Sequence, residues 1–297
     1  MIKNFFKYHI VSRFKAVLFI LFVLFICTTC IKKIENYDVH NLNGNNITIL
    51  GHRGMGELYK HPGNTFEGIT PVFGIGAAGT EIDVQITKDS VLVLFHDKDM
   101  KLTTTCEGAI YDHTWVEIGA CEYHCLVQNV YIITVDNLFS RTQNLNNLHF
   151  SFDCKLAENV DDMGAYMGTF LRAINNLCDK YSMSDNIYIE GGEFFLTKAQ
   201  ELGLTNKLFV TGTGNMDSSI EIAKKIGAFG IGTDNAISSA EDVQNAHEAG
   251  FWVMMWGAKT RQQNIEIIEK CADIVQTDKP IHMLKVFRHY NYDYSIP

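Results

Sequence analysis

Hydrophobic and polar positions follow two periods along this chain. From residue 148 onward, short apolar runs alternate with stretches of helical spacing. LHFSFDCK (148–155) alternates as a half-buried strand does. Residues 158–181 then carry an apolar stripe through Met163, Met167, Phe170, Leu171, Ile174 and Leu177, the spacing of one helix face. Further strands are predicted at 186–190, 207–211, 229–232, 251–256 and 273–276, and helices at 218–226, 238–249 and 260–271. Ser238 and Glu241 form a capping box, and Gly227 and Gly250 stand where helices stop. Residues 251–256 are apolar on both faces, as buried parallel strands are.

The first half is less regular. Residues 47–50 form a short apolar run ending in Gly51-His52-Arg53-Gly54. Asn64-Thr65-Phe66-Glu67 predicts a helix with Asn64 as its N-cap, delayed or bent by Pro71 and closed by Gly79. Residues 80–87 and 91–96 read as two strands joined by a tight turn at 88–90. A two-residue turn at Asp89-Ser90 sets Asp83 opposite His96; the other spacing shifts the register by one and keeps them close. Residues 98–147 read as irregular apart from a short helix at 134–141. Strand–helix alternation implies a parallel α/β fold, and a barrel uses eight of the nine strand-like segments, leaving one for an extra hairpin arm.

Charge separates the first thirty residues from the rest. They hold Lys3, Lys7, Arg13 and Lys15, no acid, and an apolar run at 16–26 followed by Cys27-Thr28-Thr29-Cys30. That is the order of a secretory signal, too short for a stable membrane span. A cysteine after the apolar run resembles the lipobox of bacterial lipoproteins, with Cys30 the lipidated residue. The expected organisation is therefore a lipoprotein-type signal at 1–30, a polar tether at 31–46 and one catalytic domain at 47–297. The protein would be exported and held at a membrane surface of the bacterial cell envelope. Without the first thirty residues, 21 basic residues face 34 acidic ones, a balance of −13. Such a body has no basic face for nucleic acid. The six other cysteines fit no zinc spacing and read as unpaired small hydrophobes, with a disulfide among Cys106, Cys121 and Cys125 the alternative.

Candidate chemistry gathers at the predicted strand ends, where parallel-strand enzymes keep their sites. Glu81 and Asp83 are two apart, so both point to one face of a strand. With a third carboxylate from Asp153 they suit a hard divalent cation, Ca²⁺ or Mg²⁺. His52 and His96 are a candidate acid/base pair, and Arg53 and Lys155 are cations suited to a phosphate. These residues point to metal-assisted phosphoester hydrolysis, with another metal hydrolase or a metal-dependent aldolase as alternatives.

The same residues resemble the glycerophosphodiester phosphodiesterase family. Its H-R-G appears as His52-Arg53-Gly54, its P-E-N-T as Pro62-Gly63-Asn64-Thr65, and its E-x-D-V as Glu81-Ile82-Asp83-Val84. T-K-D-G and H-D appear as Thr87-Lys88-Asp89-Ser90 and His96-Asp97, and E-x-K as Asp153-Cys154-Lys155. W-T-V-N and T-D-x-P appear as Trp256-Gly257-Ala258-Lys259 and Thr277-Asp278-Lys279-Pro280. The resemblance runs over about residues 48 to 285. It implies a TIM-type (β/α)8 barrel of the phospholipase C-like kind, cleaving glycerophosphodiesters to glycerol 3-phosphate and an alcohol with a divalent cation. It also implies that His52 and His96 are catalytic, that Glu81, Asp83 and Asp153 bind metal, that Arg53 and Lys155 bind phosphate, and that Trp256 forms an apolar wall. Gly63 replaces the family's acid, Lys259 its asparagine, and Asp153 its third metal-binding glutamate, with a reach shorter by roughly 1.5 Å. These departures raise the alternative of a divergent, non-catalytic phosphodiester-binding lipoprotein.

Overall fold

The computed structural model describes residues 37–125, 129–158 and 160–291. The signal, Cys30 and the first six residues of the tether, 31–36, lie outside these residues. Among the described residues, ten strands form one sheet. They are β1 (Thr48–Gly51), β2 (Gly79–Ile86), β3 (Leu92–Leu94), β4 (Ile133–Thr134), β5 (His149–Cys154), β6 (Ile187–Gly191), β7 (Lys207–Val210), β8 (Gly230–Asp234), β9 (Trp252–Ala258) and β10 (Ile274–Thr277). Eight are parallel neighbours in the order β1-β10-β9-β8-β7-β6-β5-β2, and β1 pairs with β2 to close the ring. This is the expected TIM barrel. β3 and β4 add antiparallel to the outer end of β2 and make the arm.

Helices fill the crossovers: α1 (Phe66–Gly74), α2 (Trp115–Ile118), α3 (Val135–Arg141), α4 (Met163–Tyr181), α5 (Glu193–Glu201), α6 (Met216–Ile226), α7 (Ala240–Glu248), α8 (Arg261–Glu269) and α9 (Pro280–Val286). Among the described residues, none is long and apolar enough to cross a membrane. In α4 the predicted stripe is the buried face, through Met167, Phe170, Leu171, Ile174 and Leu177. The helix starts at Met163, five residues later than expected, where Asp162 accepts a bond from the Ala165 amide. α5 lies outside the helices that the sequence predicts: Gly192 caps it with no side-chain bond, so no capping signal marks its start.

Local chemistry corrects several expected boundaries. The cap of α1 is Thr65, which accepts from the Gly68 amide, while Asn64 is left-handed at φ 61° and bonds elsewhere. α1 carries Pro71 inside it and ends at Gly74; Gly79 instead opens β2, where a Cβ would lie 1.7 Å from the His149 carbonyl oxygen. The capping box of α7 is Ser239 with Asp242, one residue later than expected, because the Ser238 hydroxyl pairs with that of Thr233.

The arm has its own apolar cluster, made of Val93, Phe95, Met100, Ile110, Ile118, Cys121, Tyr123, Val130 and Ile132. Cys106 and Cys121 are joined as a disulfide, so the reading of all six cysteines as unpaired is corrected. The barrel interior is separate, with Leu50, Tyr188, Phe209, Met254 and Ile274 packed below the site.

Candidate active site

The hairpin of β2 and β3 sets the register of the site. Val84 pairs with Leu94 and Ile86 with Leu92, so Asp83 lies opposite Phe95, one residue from the two-residue-turn expectation. The loop holds three residues, closed by Thr87 and Val91, with Ser90 left-handed at φ 66°. The Phe95 amide donates to the Asp83 carbonyl (3.1 Å), which brings His96 beside the carboxylates. Gln85 then fixes the segment, donating to the carbonyls of Phe95 (2.9 Å) and Asp97 (3.0 Å).

Glu81, Asp83 and Asp153 come together at the barrel mouth. One oxygen of each lies within 4.8 Å of the others. Asp83 and Asp153 are register partners across β2 and β5. Asn64 holds Asp83 from both ends: its amide nitrogen donates to Oδ2 (2.7 Å), and its Oδ1 accepts from the Asp83 backbone (3.1 Å). Arg53 Nε approaches Oδ2 at 2.8 Å and Lys155 Nζ approaches Oδ1 at 3.2 Å. Among the described residues, neither Arg53 Nε nor Asp83 Oδ1 has an aligned hydrogen bond, so these pairs are held by charge. Lys155 also contacts Asp153 Oδ2 at 2.5 Å. Arg53 is left-handed at φ 53°, and its backbone amide donates to Glu81 Oε2 (2.9 Å).

The two deep carboxylates differ electrostatically. Burial, then the charges of Asp83 and Asp153, push the Glu81 carboxyl well above its ordinary range. Burial also opposes the Asp83 charge, but Arg53, Lys155, His96 and the Asn64 hydrogen bond together hold that carboxyl below its ordinary value. Burial likewise opposes the Lys155 charge, yet Asp153 and Asp83 outweigh it and raise that pKa. Three carboxylates against two permanent cations, with one buried oxygen lacking an aligned donor, suit a hard divalent ion.

His52 follows β1, and its Nδ1 lies 2.8 Å from Asp278 Oδ1 while Nε2 lies 3.9 Å from Glu81 Oε2. The Glu57 amide also donates to Asp278 (2.9 Å). Burial opposes the Asp278 charge, but the His52 hydrogen bond leads the effects that lower its pKa. Asp278 therefore orients His52, a role the T-D-x-P motif alone did not disclose. His96 is more open, with Nδ1 at 2.9 Å from Asp97 Oδ1. Trp256, on β9, lies over Gly232, where a Cβ would be 3.1 Å from the ring.

The departures at 63, 153 and 259 have local accounts. A Cβ at Gly63 would meet Arg53 Cβ at 2.7 Å, so glycine lets the arginine lie against this loop. Asp153 is 39% exposed and turned to Lys155. Lys259 reaches Glu57 at 3.5 Å, linking two mouth loops.

Glu190 is the residue that the motifs missed. It lies on β6 in register with Asp153, only 3% exposed. Its Oε1 accepts from Ser151 Oγ (2.7 Å) and Gln276 Nε2 (2.5 Å). Burial, then the Asp153 charge, push its carboxyl up to about 7. No local signal marks it; only the β5–β6 register places it at the site.

Comparison with known proteins bears on this geometry. The model of the glycerophosphoryl diester phosphodiesterase family matches residues 52–282, over three quarters of the chain. A glycerophosphodiester phosphodiesterase of Caldanaerobacter subterraneus is 40% identical over 70 residues, and one of Bacillus altitudinis is 39% identical over 70. Each match spans 24% of this chain and 28% of the relative's own length. Among solved structures, an Oleispira antarctica phosphodiesterase in complex with sn-glycerol-3-phosphate aligns over 81% of this chain and 96% of its own, with TM-score 0.71 and 18% identity. A Thermotoga maritima glycerophosphodiester phosphodiesterase aligns over 81% and 98%, with TM-score 0.62 and 20% identity. At these identities the structural likeness speaks for the fold.

Proposed function

We propose that this chain, which belongs to the glycerophosphoryl diester phosphodiesterase family, hydrolyses glycerophosphodiesters to glycerol 3-phosphate and an alcohol. The observation that carries the reading is the Glu81, Asp83 and Asp153 cluster at the barrel mouth, flanked by Arg53, Lys155, His52 and His96. The three carboxylates would hold one divalent cation. Bound there, it supplies Lewis-acid charge to a phosphoryl oxygen. Asp153 is short and exposed, which favours Ca²⁺, since calcium accepts looser geometry than magnesium.

The protein's own groups do the rest. Arg53 and Lys155 would take the remaining phosphate charge, partly released from Asp83 when the substrate arrives. His52, held by Asp278, and His96, beside Asp97, form the acid/base pair, each role worth roughly 10²–10⁴-fold. One takes the proton of the attacking hydroxyl and the other protonates the departing alcohol. The attacking group is the substrate's glycerol 2-hydroxyl, giving a cyclic diester that water then opens. Trp256 forms the apolar wall of the pocket.

A panel of glycerophosphodiesters assayed with Ca²⁺, with Mg²⁺ and after chelation tests this. Glycerol 3-phosphate release that stops on chelation and returns with calcium is expected. Metal-dependent binding of diesters with no turnover of any would favour the non-catalytic lipoprotein instead.

The domain boundaries, export and Cys30 lipidation belong to the same proposal. The Cys106–Cys121 disulfide supports an oxidising compartment. Loss of membrane-fraction protein in Cys30→Ala is the expected result; unchanged fractionation would exclude the anchor.

A further inference from the structure

We propose that Glu190 is a specificity-determining residue: its carboxyl, on the barrel axis below the metal carboxylates, hydrogen-bonds a free hydroxyl of the alcohol that stays esterified to phosphate. This rests on the phosphodiesterase reading and names which half of the substrate the site selects.

The topology places the group. In the closed order of eight strands, β6 and β10 are four neighbours apart in either direction, and so are diametrically opposed. Glu190 on β6 nevertheless accepts from Gln276 on β10, at 2.5 Å. Its carboxyl therefore reaches the middle of the barrel. Ser151 bonds the same oxygen from β5, and Ser151 Oγ (3.4 Å) and Gln276 Nε2 (2.9 Å) both contact Met254 Sδ. Together they form a polar floor between the apolar interior and the mouth. The Glu190 backbone is in register with Asp153, and its carboxyl reaches down to Ser151, two residues below that metal carboxylate on β5.

Both floor bonds fall on Oε1. Oε2 takes neither of these bonds and lies 3.5 Å from where a Gly232 Cβ would stand, with the Trp256 ring 3.1 Å from that same point. Lys155, whose charge is felt at Glu190, pairs with Asp83 and Asp153 instead. A plug that only satisfied Ser151 and Gln276 needs one acceptor, which a neutral amide supplies without burying an ionisable group. The second oxygen is surplus to that role and borders the proposed apolar wall. A hydroxyl can donate and accept, so it partners this carboxyl in either protonation state. A ligand lacking the hydroxyl leaves a buried polar group unpaired, which is how sites reject deoxygenated analogues most strongly. The class selected is a phosphate ester of a polyol with a free hydroxyl. Simple alkyl phosphates are rejected.

Calorimetric titration of the calcium-loaded protein with glycerol 3-phosphate and with propyl phosphate tests this without needing turnover. The native chain should prefer glycerol 3-phosphate at least a hundredfold. Glu190→Met should bring the two within about threefold by losing affinity for glycerol 3-phosphate alone. Equal loss for both ligands, an unchanged preference, or no preference in the native chain would overturn the proposal. If Glu190→Met does not fold, Glu190→Gln decides. Its amide keeps the floor bonds and presents only a donor toward Trp256, so the preference should fall about tenfold; an undiminished preference would overturn the proposal. Absence of diester turnover with the binding preference intact would remove the enzymatic reading and leave this one standing.

Discussion

Replacing Glu190 by Gln removes an ionisable group from the barrel interior while keeping the acceptor that Ser151 and Gln276 bond. The folded carboxyl stands at about 7 against an ordinary value of 4.5, through burial first and the Asp153 charge second. A folded state that holds its proton more tightly than the unfolded chain is stabilised below the lower value. That stabilisation is lost as pH rises through the upper one. At about 1.4 kcal/mol per tenfold, the interval amounts to about 3 kcal/mol. The variant lacks this dependence, so its stability relative to the native chain should climb by about 3 kcal/mol between pH 4.5 and pH 8. For a domain of this size that is about 6–12 °C in relative Tm. Thermal unfolding followed by circular dichroism at several pH values reads it. A chelator should be present, because divalent ions compete with protons for neighbouring carboxylates. Parallel pH profiles for the two proteins across this interval would refute the reasoning.

Four further outcomes are expected. His52→Ala and His96→Ala should each lower diester hydrolysis at least a hundredfold, and undiminished rates after either change would remove that histidine from the acid/base pair. Asp278→Asn should lower kcat by about ten- to a hundredfold with little change in KM, because it mis-orients His52 without touching the phosphate cations; a change confined to KM would contradict this. Glu81→Gln should weaken calcium binding by more than tenfold in calorimetry, and unaltered affinity would place the ion elsewhere. Replacing both Cys106 and Cys121 by Ala should destabilise the arm by about 3 kcal/mol through the lost closure of a 15-residue loop, read as earlier proteolysis between residues 98 and 133. Equal cleavage times for the two proteins would contradict that account.

The barrel was legible because periodicity survives in isolation: a strand such as 148–155 alternates whatever surrounds it. The motif residues were legible because they sit within or just after strands in chain order. What was not legible depends on distant partners. Asn64 fits the local rule for an N-cap, yet its side chain serves Asp83, nineteen residues away, and leaves capping to Thr65. Asp278 stood in a recognised motif, but its bond to His52 needs β10 beside β1. The hairpin register turned on Ser90 adopting a left-handed conformation, which made the loop one residue longer than the tightest turn. Glu190 sits in an unremarkable strand, and only closing the ring puts Gln276 across from it. The disulfide was one of three pairings open to three nearby cysteines, and the arm's own packing selected it.

That arm has a consequence for how such an enzyme can diversify. Its disulfide and most of its apolar cluster lie between Asp97 and Thr134, in the segment that departs next to a histidine of the proposed acid/base pair. The eight strands would close without it. The arm is in effect an exchangeable cassette, because its length and sequence can change while the barrel's strand order and its metal carboxylates stay as they are. New substrate choice is then open to insertion and recombination at one site, with His96 kept as the fixed end to which each new segment is attached.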